Sequence, residues 1–197
     1  MITYITPDKV HFGNDRADEY FTKMYKEDSS YYDNDNYFKI FLAGTIDNGE
    51  SEDWQTDVYH NLLWLIEPAV VTYGQDYCTP PGKYNVVMYS PRRKDWKTDA
   101  TVEDVENQIR WEQDKLEKAD LIVMALQDNS KSPISLLELG LYGTEGKLIC
   151  FCTENFYRYT NVKLTCEKFL IPFYETLRPI DIASTIEKIL KESHDNC

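Results

Sequence analysis

The feature that most constrains this chain is a set of four short apolar runs, each trailed by a segment of helical periodicity. The runs are Tyr37-Phe38-Lys39-Ile40-Phe41-Leu42-Ala43-Gly44, Tyr84-Asn85-Val86-Val87-Met88-Tyr89, Asp120-Leu121-Ile122-Val123-Met124-Ala125-Leu126 and Lys147-Leu148-Ile149-Cys150-Phe151-Cys152. None alternates cleanly between apolar and polar, so each reads as a strand buried on both faces, and strands of that kind pair in parallel beneath helices. The intervening segments supply those helices. Ser51-Glu52-Asp53 offers an N-cap and first-turn acids ahead of Trp54, Val58, Leu62, Leu63 and Ile66, which recur at helical spacing up to Pro68. Thr101 with Asp104 caps a long helix carrying Val105, Ile109, Trp111, Leu116 and Ala119. Pro133 opens another helix at the position where proline is tolerated. A helix from Thr160 to Lys168, a short apolar Phe169-Leu170-Ile171 and an amphipathic helix striped by Ile182, Ile186, Ile189 and Leu190 complete the pattern. The prediction is an α/β fold, a three-layer doubly wound parallel sheet of flavodoxin or Rossmann type. Ligands of such sheets bind beyond the carboxyl ends of the strands, which singles out the loops over 44–49, 90–98 and 127–133.

At 197 residues the chain has room for one such domain. The first 36 residues are polar, acidic and rich in tyrosine, and they close on Asp33-Asn34-Asp35-Asn36, so they read as an appended arm, with the domain over 37–197. Acidic residues number 34 against 21 basic ones, and a net charge of −13 repels phosphate backbones and anionic lipid. Nucleic-acid polymers and membranes are therefore not expected as partners. No apolar run is long enough to span a bilayer, and Met1 to Asp8 lacks the pattern of a signal peptide, so a cytoplasmic protein is expected. The five cysteines include no C-x-x-C pair and no metal-finger spacing, and Cys150 and Cys152 share one strand face as small buried hydrophobes. None of the three histidines lies near a nucleophile motif, which leaves acid–base chemistry to carboxylates or tyrosines.

One carboxylate stands out. The helix Ile134-Ser135-Leu136-Leu137-Glu138-Leu139-Gly140-Leu141 is apolar on nearly every side, so Glu138 is either a paired structural residue or a nucleophile held near the helix amino terminus and kept ionised by its dipole. A second carboxylate, Glu112, lies on the preceding helix among Glu103, Asp104, Glu106, Asp114 and Glu117, a run that a solvated face also explains. Two carboxylates flanking one bond are what glycosidic cleavage uses. Gly44, Thr45 and Asp47 follow the first strand in a loop that is neither a Walker A sequence nor G-x-G-x-x-G. Ser132 and Ser135 open the Glu138 helix, either as plain caps or as holders of a sugar hydroxyl or phosphate. Arg92 and Arg93 after the second strand either clamp an anion or balance local acidity.

In these pieces the chain resembles the nucleoside 2-deoxyribosyltransferases and the related nucleotide N-glycosidases. The resemblance runs through Phe41-Leu42-Ala43-Gly44-Thr45-Ile46-Asp47, Ser90-Pro91-Arg92-Arg93, Gln108-Ile109-Arg110-Trp111-Glu112, Ala119-Asp120-Leu121-Ile122-Val123 and Ser132-Pro133-Ile134-Ser135-Leu136-Leu137-Glu138-Leu139-Gly140. It implies that Glu138 attacks the anomeric carbon and that Glu112, 26 residues earlier, protonates the departing base. It implies further that Asp120 matches the acid opening the intervening strand, that Asp47 and Trp54 hold or stack the base, and that Ser132 holds the 5′ end of the sugar. The implied partners are a nucleoside or nucleotide and a free nucleobase, with no cofactor and no metal. The family also implies a homodimer or larger homo-oligomer, to which Tyr157, Arg158 and Asn161 would lend side chains at a neighbour's site. The leading expectation is transfer of deoxyribose between nucleobases. A serine at position 132 favours as an alternative the hydrolysis of a nucleoside 5′-monophosphate, and a catalytically idle nucleotide-binding protein is a third reading.

Overall fold

The computed structural model describes residues 2–11, 15–27, 32–46, 51–66, 84–93 and 100–195. Its elements are β1 (Ile2–Ile5), β2 (Val10–His11), α1 (Asp15–Glu27), β3 (Phe38–Gly44), α2 (Trp54–Ile66), β4 (Val86–Tyr89), α3 (Val102–Lys118), β5 (Leu121–Leu126), α4 (Pro133–Tyr142), β6 (Leu148–Cys152), α5 (Tyr159–Phe169), β7 (Phe173–Tyr174) and α6 (Pro179–Asp195). The seven strands form one sheet in the order β2-β1-β4-β3-β5-β6-β7. Every pairing is parallel except that of β2 with β1. The fold is thus the predicted three-layer α/β arrangement of Rossmann type.

The pleat sorts each apolar run between two helical layers. On β5, Ile122, Met124 and Leu126 face the layer made by α1, α3, α4 and α5, where they meet Tyr25, Leu116, Leu139 and Val162. The intervening Leu121, Val123 and Ala125 face α2 and α6, against Val58, Leu62, Ile182 and Ile186. Fully burying one such aliphatic side chain contributes about 1.5–3 kcal/mol, so strands buried on both faces are the strongest stabilising elements of the chain. Cys150 and Cys152 point to the same layer as Cys166 of α5 and are free thiols buried in it.

Local signals set the helix ends. Thr101 and Asp104 form the predicted capping box of α3, and Pro133 stands at the start of α4. At α2 the cap differs from expectation. Asp53 accepts from the Thr56 amide at 3.2 Å and from its hydroxyl at 2.9 Å, whereas the Ser51 hydroxyl donates to the Ile46 carbonyl. Phe169 closes α5, Leu170 turns the chain in the left-handed region at φ 58, and the short strand that follows is Phe173–Tyr174.

The amino-terminal segment, read from sequence as an appended arm, is built into the sheet. β1 lies along β4, pairing Ile2 with Val86 and Ile5 with Tyr89, and Tyr25 and Tyr32 are buried in the core. Ile2-Thr3-Tyr4-Ile5 carries the β-branched and aromatic residues of a strand, a signal that the polarity of the following thirty residues masks.

A buried ion network fastens this segment to α3. Asp33 accepts from Lys115 Nζ at 2.9 Å, from Lys118 Nζ at 2.8 Å and from the Tyr89 hydroxyl at 3.0 Å. Lys115, only 1% exposed, also pairs with Asp114 at 3.0 Å. Burial works to raise the Asp33 carboxyl, but the two ammonium groups outweigh it and hold it below the ordinary range. Removing Asp33 strips a buried lysine of its main partner. Asp33→Ala is expected to cost about 3 kcal/mol in urea unfolding at neutral pH. Because the folded-state carboxyl is depressed, its contribution is present above the ordinary carboxylate range, and the difference between wild type and variant shrinks as pH falls below about 4.

Candidate active site

The site grows from the carboxyl end of β3. Gly44 lies opposite Ala125 with φ +131, and a Cβ built there would stand 2.1 Å from the Ala125 carbonyl oxygen, so only glycine fits. This close approach seats Thr45 against β5. The Thr45 amide donates to Ala125 O at 3.0 Å, its hydroxyl accepts from the Gln127 amide at 2.9 Å, and its carbonyl accepts from Trp54 Nε1 at 3.0 Å. The same hydroxyl meets Ser132 Oγ at 2.5 Å, and Ser132 Oγ lies 2.9 Å from Ser130 Oγ. Ser132 occupies the N-cap position of α4 in the left-handed region at φ 41, yet its side chain does not cap the helix. The result is a chain of three hydroxyls beside the amide groups that open α4, held by a backbone conformation of the kind that persists only where the surroundings enforce it.

Across from that chain, α3 and α4 present the two carboxylates. Glu112 and Glu138 line one cleft of about 210 Å³, together with Gly44, Thr45, Pro91, Arg93, Gln108, Ser132 and Ser135. Burial, reinforced by the negative charge of Glu112, pushes the Glu138 carboxyl up to about 8. The sequence reading has the α4 dipole keep Glu138 ionised. Glu138 lies in the second turn, beyond the first-turn reach of that dipole, so desolvation prevails. Burial also raises the Glu112 carboxyl, opposed by a hydrogen bond from Gln108 and by the positive charge of Arg93. Of the other acids of the α3 run, Glu103, Asp104, Glu106 and Glu117 are exposed and the half-buried Asp114 is paired with Lys115 and Lys118, which separates Glu112 from the rest. Two raised carboxyls in one cleft suit paired acid and nucleophile chemistry.

Gly44, Thr45, Arg93, Glu112, Ser132, Ser135 and Glu138, all singled out in the sequence, line this one cleft, whereas other candidates do not. Trp54 is buried, and its indole supports the Thr45 carbonyl from behind instead of stacking on a base. Arg92 is turned away from the cleft. Its guanidinium donates to Ser51 O at 2.6 Å, Ser51 Oγ at 2.8 Å and Glu52 O at 2.8 Å, and it pairs with Asp53, so it fixes the turn before α2 rather than an anion. Asp120 sits just before β5, at the opposite, amino-terminal end of the strands, where it accepts from the Lys39 amide at 2.7 Å and pairs with the Lys39 ammonium. Asn161 is exposed on α5 and does not line the cleft. Asp47 lies outside the described residues. Gln108, which sequence reasoning passed over, donates to Glu112 Oε1 at 2.5 Å. Its position one turn before the acid was the available signal.

Comparison with known proteins bears on this site. The family described as "Nucleoside 2-deoxyribosyltransferase like" matches residues 37–156, a span that holds Gly44, Glu112, Ser132 and Glu138. The chain belongs to that family. The match supports an enzyme that acts on nucleosides or related small molecules. A solved structure described as a conserved protein from Enterococcus faecalis V583 is similar over 82% of this chain and 99% of that one, at 14% identity and a TM-score of 0.41. No curated protein matches the chain. Among the described residues no helix is long and apolar enough to cross a membrane.

Two outcomes follow from the geometry of this family member. Gly44→Ala is expected to lose about 3 kcal/mol of stability in chemical unfolding, from backbone strain and the clash with Ala125. Because the Glu138 carboxyl is raised in the folded state, folding favours its protonated form, an advantage complete below the ordinary carboxylate range and lost as pH rises through about 8. Glu138→Gln does not titrate, so its melting temperature should match wild type near pH 4 and exceed it by a widening margin up to pH 9.

Proposed function

We propose that this chain is a nucleoside 2-deoxyribosyltransferase working through a covalent deoxyribosyl ester on Glu138. The observation that carries the reading is the pair of raised carboxyls facing one cleft at the carboxyl end of β3. Ionised Glu138 attacks C1′ of a 2′-deoxyribonucleoside and forms a C1′–O bond. The C1′–N bond breaks, its electron pair goes to the base nitrogen, and Glu112 gives that nitrogen its proton. A second nucleobase then attacks C1′ from the vacated side, passes its proton to Glu112 and releases Glu138, so the configuration at C1′ is retained. Capture by water instead gives the free sugar.

Transfer needs one proton on the pair. The kcat/KM profile should therefore be bell-shaped, falling at low pH as the pair takes up a second proton and at high pH, beyond about 8, as the last carboxyl proton of the pair is lost. The deciding assay incubates the protein with deoxyinosine and excess adenine, and chromatography follows new deoxyadenosine. The reading requires deoxyadenosine to form with wild type and not with Glu138→Ala. Full activity in that variant would sink it.

A second reading, N-glycosidic hydrolysis of a nucleoside 5′-monophosphate, draws support from the hydroxyl chain of Thr45, Ser130 and Ser132 at the opening of α4, with Arg93 in the same cleft. Hydroxyls, free helix amides and a guanidinium suit a phosphate better than a lone 5′-hydroxyl. Base release from deoxynucleoside monophosphates alone would move the assignment there. A homo-oligomer belongs to either reading. Val102, Val105 and Ile109 of α3 and Ile134, Leu137 and Leu141 of α4 are large apolar side chains left exposed on the two helices that carry the carboxylates, which supports a covered face. Sizing of the purified chain should give a mass of at least two copies.

A further inference from the structure

The reaction scheme leaves one buried side chain of the cleft without a role. Gln108 stands one turn before Glu112 on α3, and its Nε2 donates both to Glu112 Oε1 at 2.5 Å and to the Pro91 carbonyl at 2.9 Å. Two oxygen acceptors on one nitrogen fix which end of the amide faces the acid, because the turned-over group would set Oε1 against both of them. Oε1 itself is buried without a hydrogen-bond partner among the described residues. That is a desolvation cost which a leucine of similar size would avoid, so packing alone does not account for a glutamine here.

We propose that Gln108 is a positioning residue for Glu112: anchored on the Pro91 carbonyl, its amide holds the acid's side chain over the cleft and binds it more tightly as Glu112 gives its proton to the departing base. The inference rests on the reading of Glu112 as the acid. An N–H donor binds a carboxylate more strongly than a carboxylic acid, so the Gln108 bond gains strength along the same step in which the glycosidic bond breaks. A gain confined to the transition state appears in kcat, with little change in KM. Two groups set the proton affinity of Glu112 along with burial: Gln108 on its own helix and Arg93 from the β4–α3 connection both favour the anion. Glu138 of α4 lines the same cleft and is itself raised by the charge of Glu112.

The test compares two leaving groups. Deoxyinosine needs a proton on its base, whereas 7-methyl-2′-deoxyguanosine carries a positive charge before the bond breaks and needs none. Gln108→Leu is expected to lower kcat on deoxyinosine by about 10-fold to 100-fold with KM nearly unchanged, and to leave 7-methyl-2′-deoxyguanosine within about threefold. Glu112→Gln should show the same selectivity with a larger loss. An equal loss on both substrates, or no loss on deoxyinosine, overturns the inference while leaving the transferase reading standing. Wild type that turns over neither substrate overturns the transferase reading. In that case an infrared titration of Glu112 in the full chain, without substrate, decides the contact on its own: Gln108→Leu should move the carboxyl to higher pH, and an unmoved titration overturns the inference. Gln108→Met, of similar volume and likewise without a donor, replaces Gln108→Leu should that variant not fold.

Discussion

The site depends on how closely the backbone at Gly44 can press against Ala125. That contact brings the end of β3 flush with β5, which places Thr45 within reach of Ser132 and so registers the loop after β3 with the opening of α4. Trp54 braces the same loop from behind, and Arg92 pins the turn that follows it. The two carboxylates arrive from separate helices, α3 and α4, and meet over a floor whose shape those backbone contacts set. A side chain at position 44 would push the loop off the sheet and widen the cleft.

Electrostatics then divides the polar groups into two kinds. Asp33, Lys115, Lys118 and Asp114 neutralise one another, and the protein gains from holding them charged. Burial raises both Glu112 and Glu138, the charge of Glu112 raises Glu138 further, and only the charge of Arg93 and the Gln108 hydrogen bond oppose the shift at Glu112. A chain optimised for stability alone would remove such a pair. Both members line one cleft at the carboxyl end of β3, and a titratable pair raised by burial in a cleft is what marks it as a candidate site.

Much of this was legible in the sequence because the decisive signals are local. Runs buried on both faces announce parallel strands without any knowledge of their order, and the capping box of Thr101 and Asp104 and the proline at position 133 mark helix starts through backbone chemistry. Glu138 stood out as a charge inside an apolar helix. The misreadings concern residues whose environment is made by distant parts of the chain. Whether Arg92 faces the cleft or the turn before α2 depends on where residues 51–53 pass, forty positions earlier. Asp120 was a candidate only through the family resemblance, yet it stands at the start of β5, at the end of the sheet remote from Thr45. β1 was hidden because four strand-forming residues are too few to stand out against a polar surround. Gln108 was overlooked because its one signal in the sequence, a spacing of one turn from Glu112, is shared by many pairs on a charged helix until the fold shows which of them is buried.

The placement of β1 also bears on where the catalytic unit can be cut. The stretch that the family shares begins at residue 37 and ends at 156, and it is the first fragment one would choose to express. It would lack β1, whose backbone pairs with Val86 through Tyr89, and α6, whose Ile182 and Ile186 cover the opposite face of the sheet. Such a fragment would bare a parallel strand edge and a broad aliphatic surface together, the combination that drives chains to associate edge to edge. The shared core is thus a site without a shell, and solubility resides in the segments that flank it.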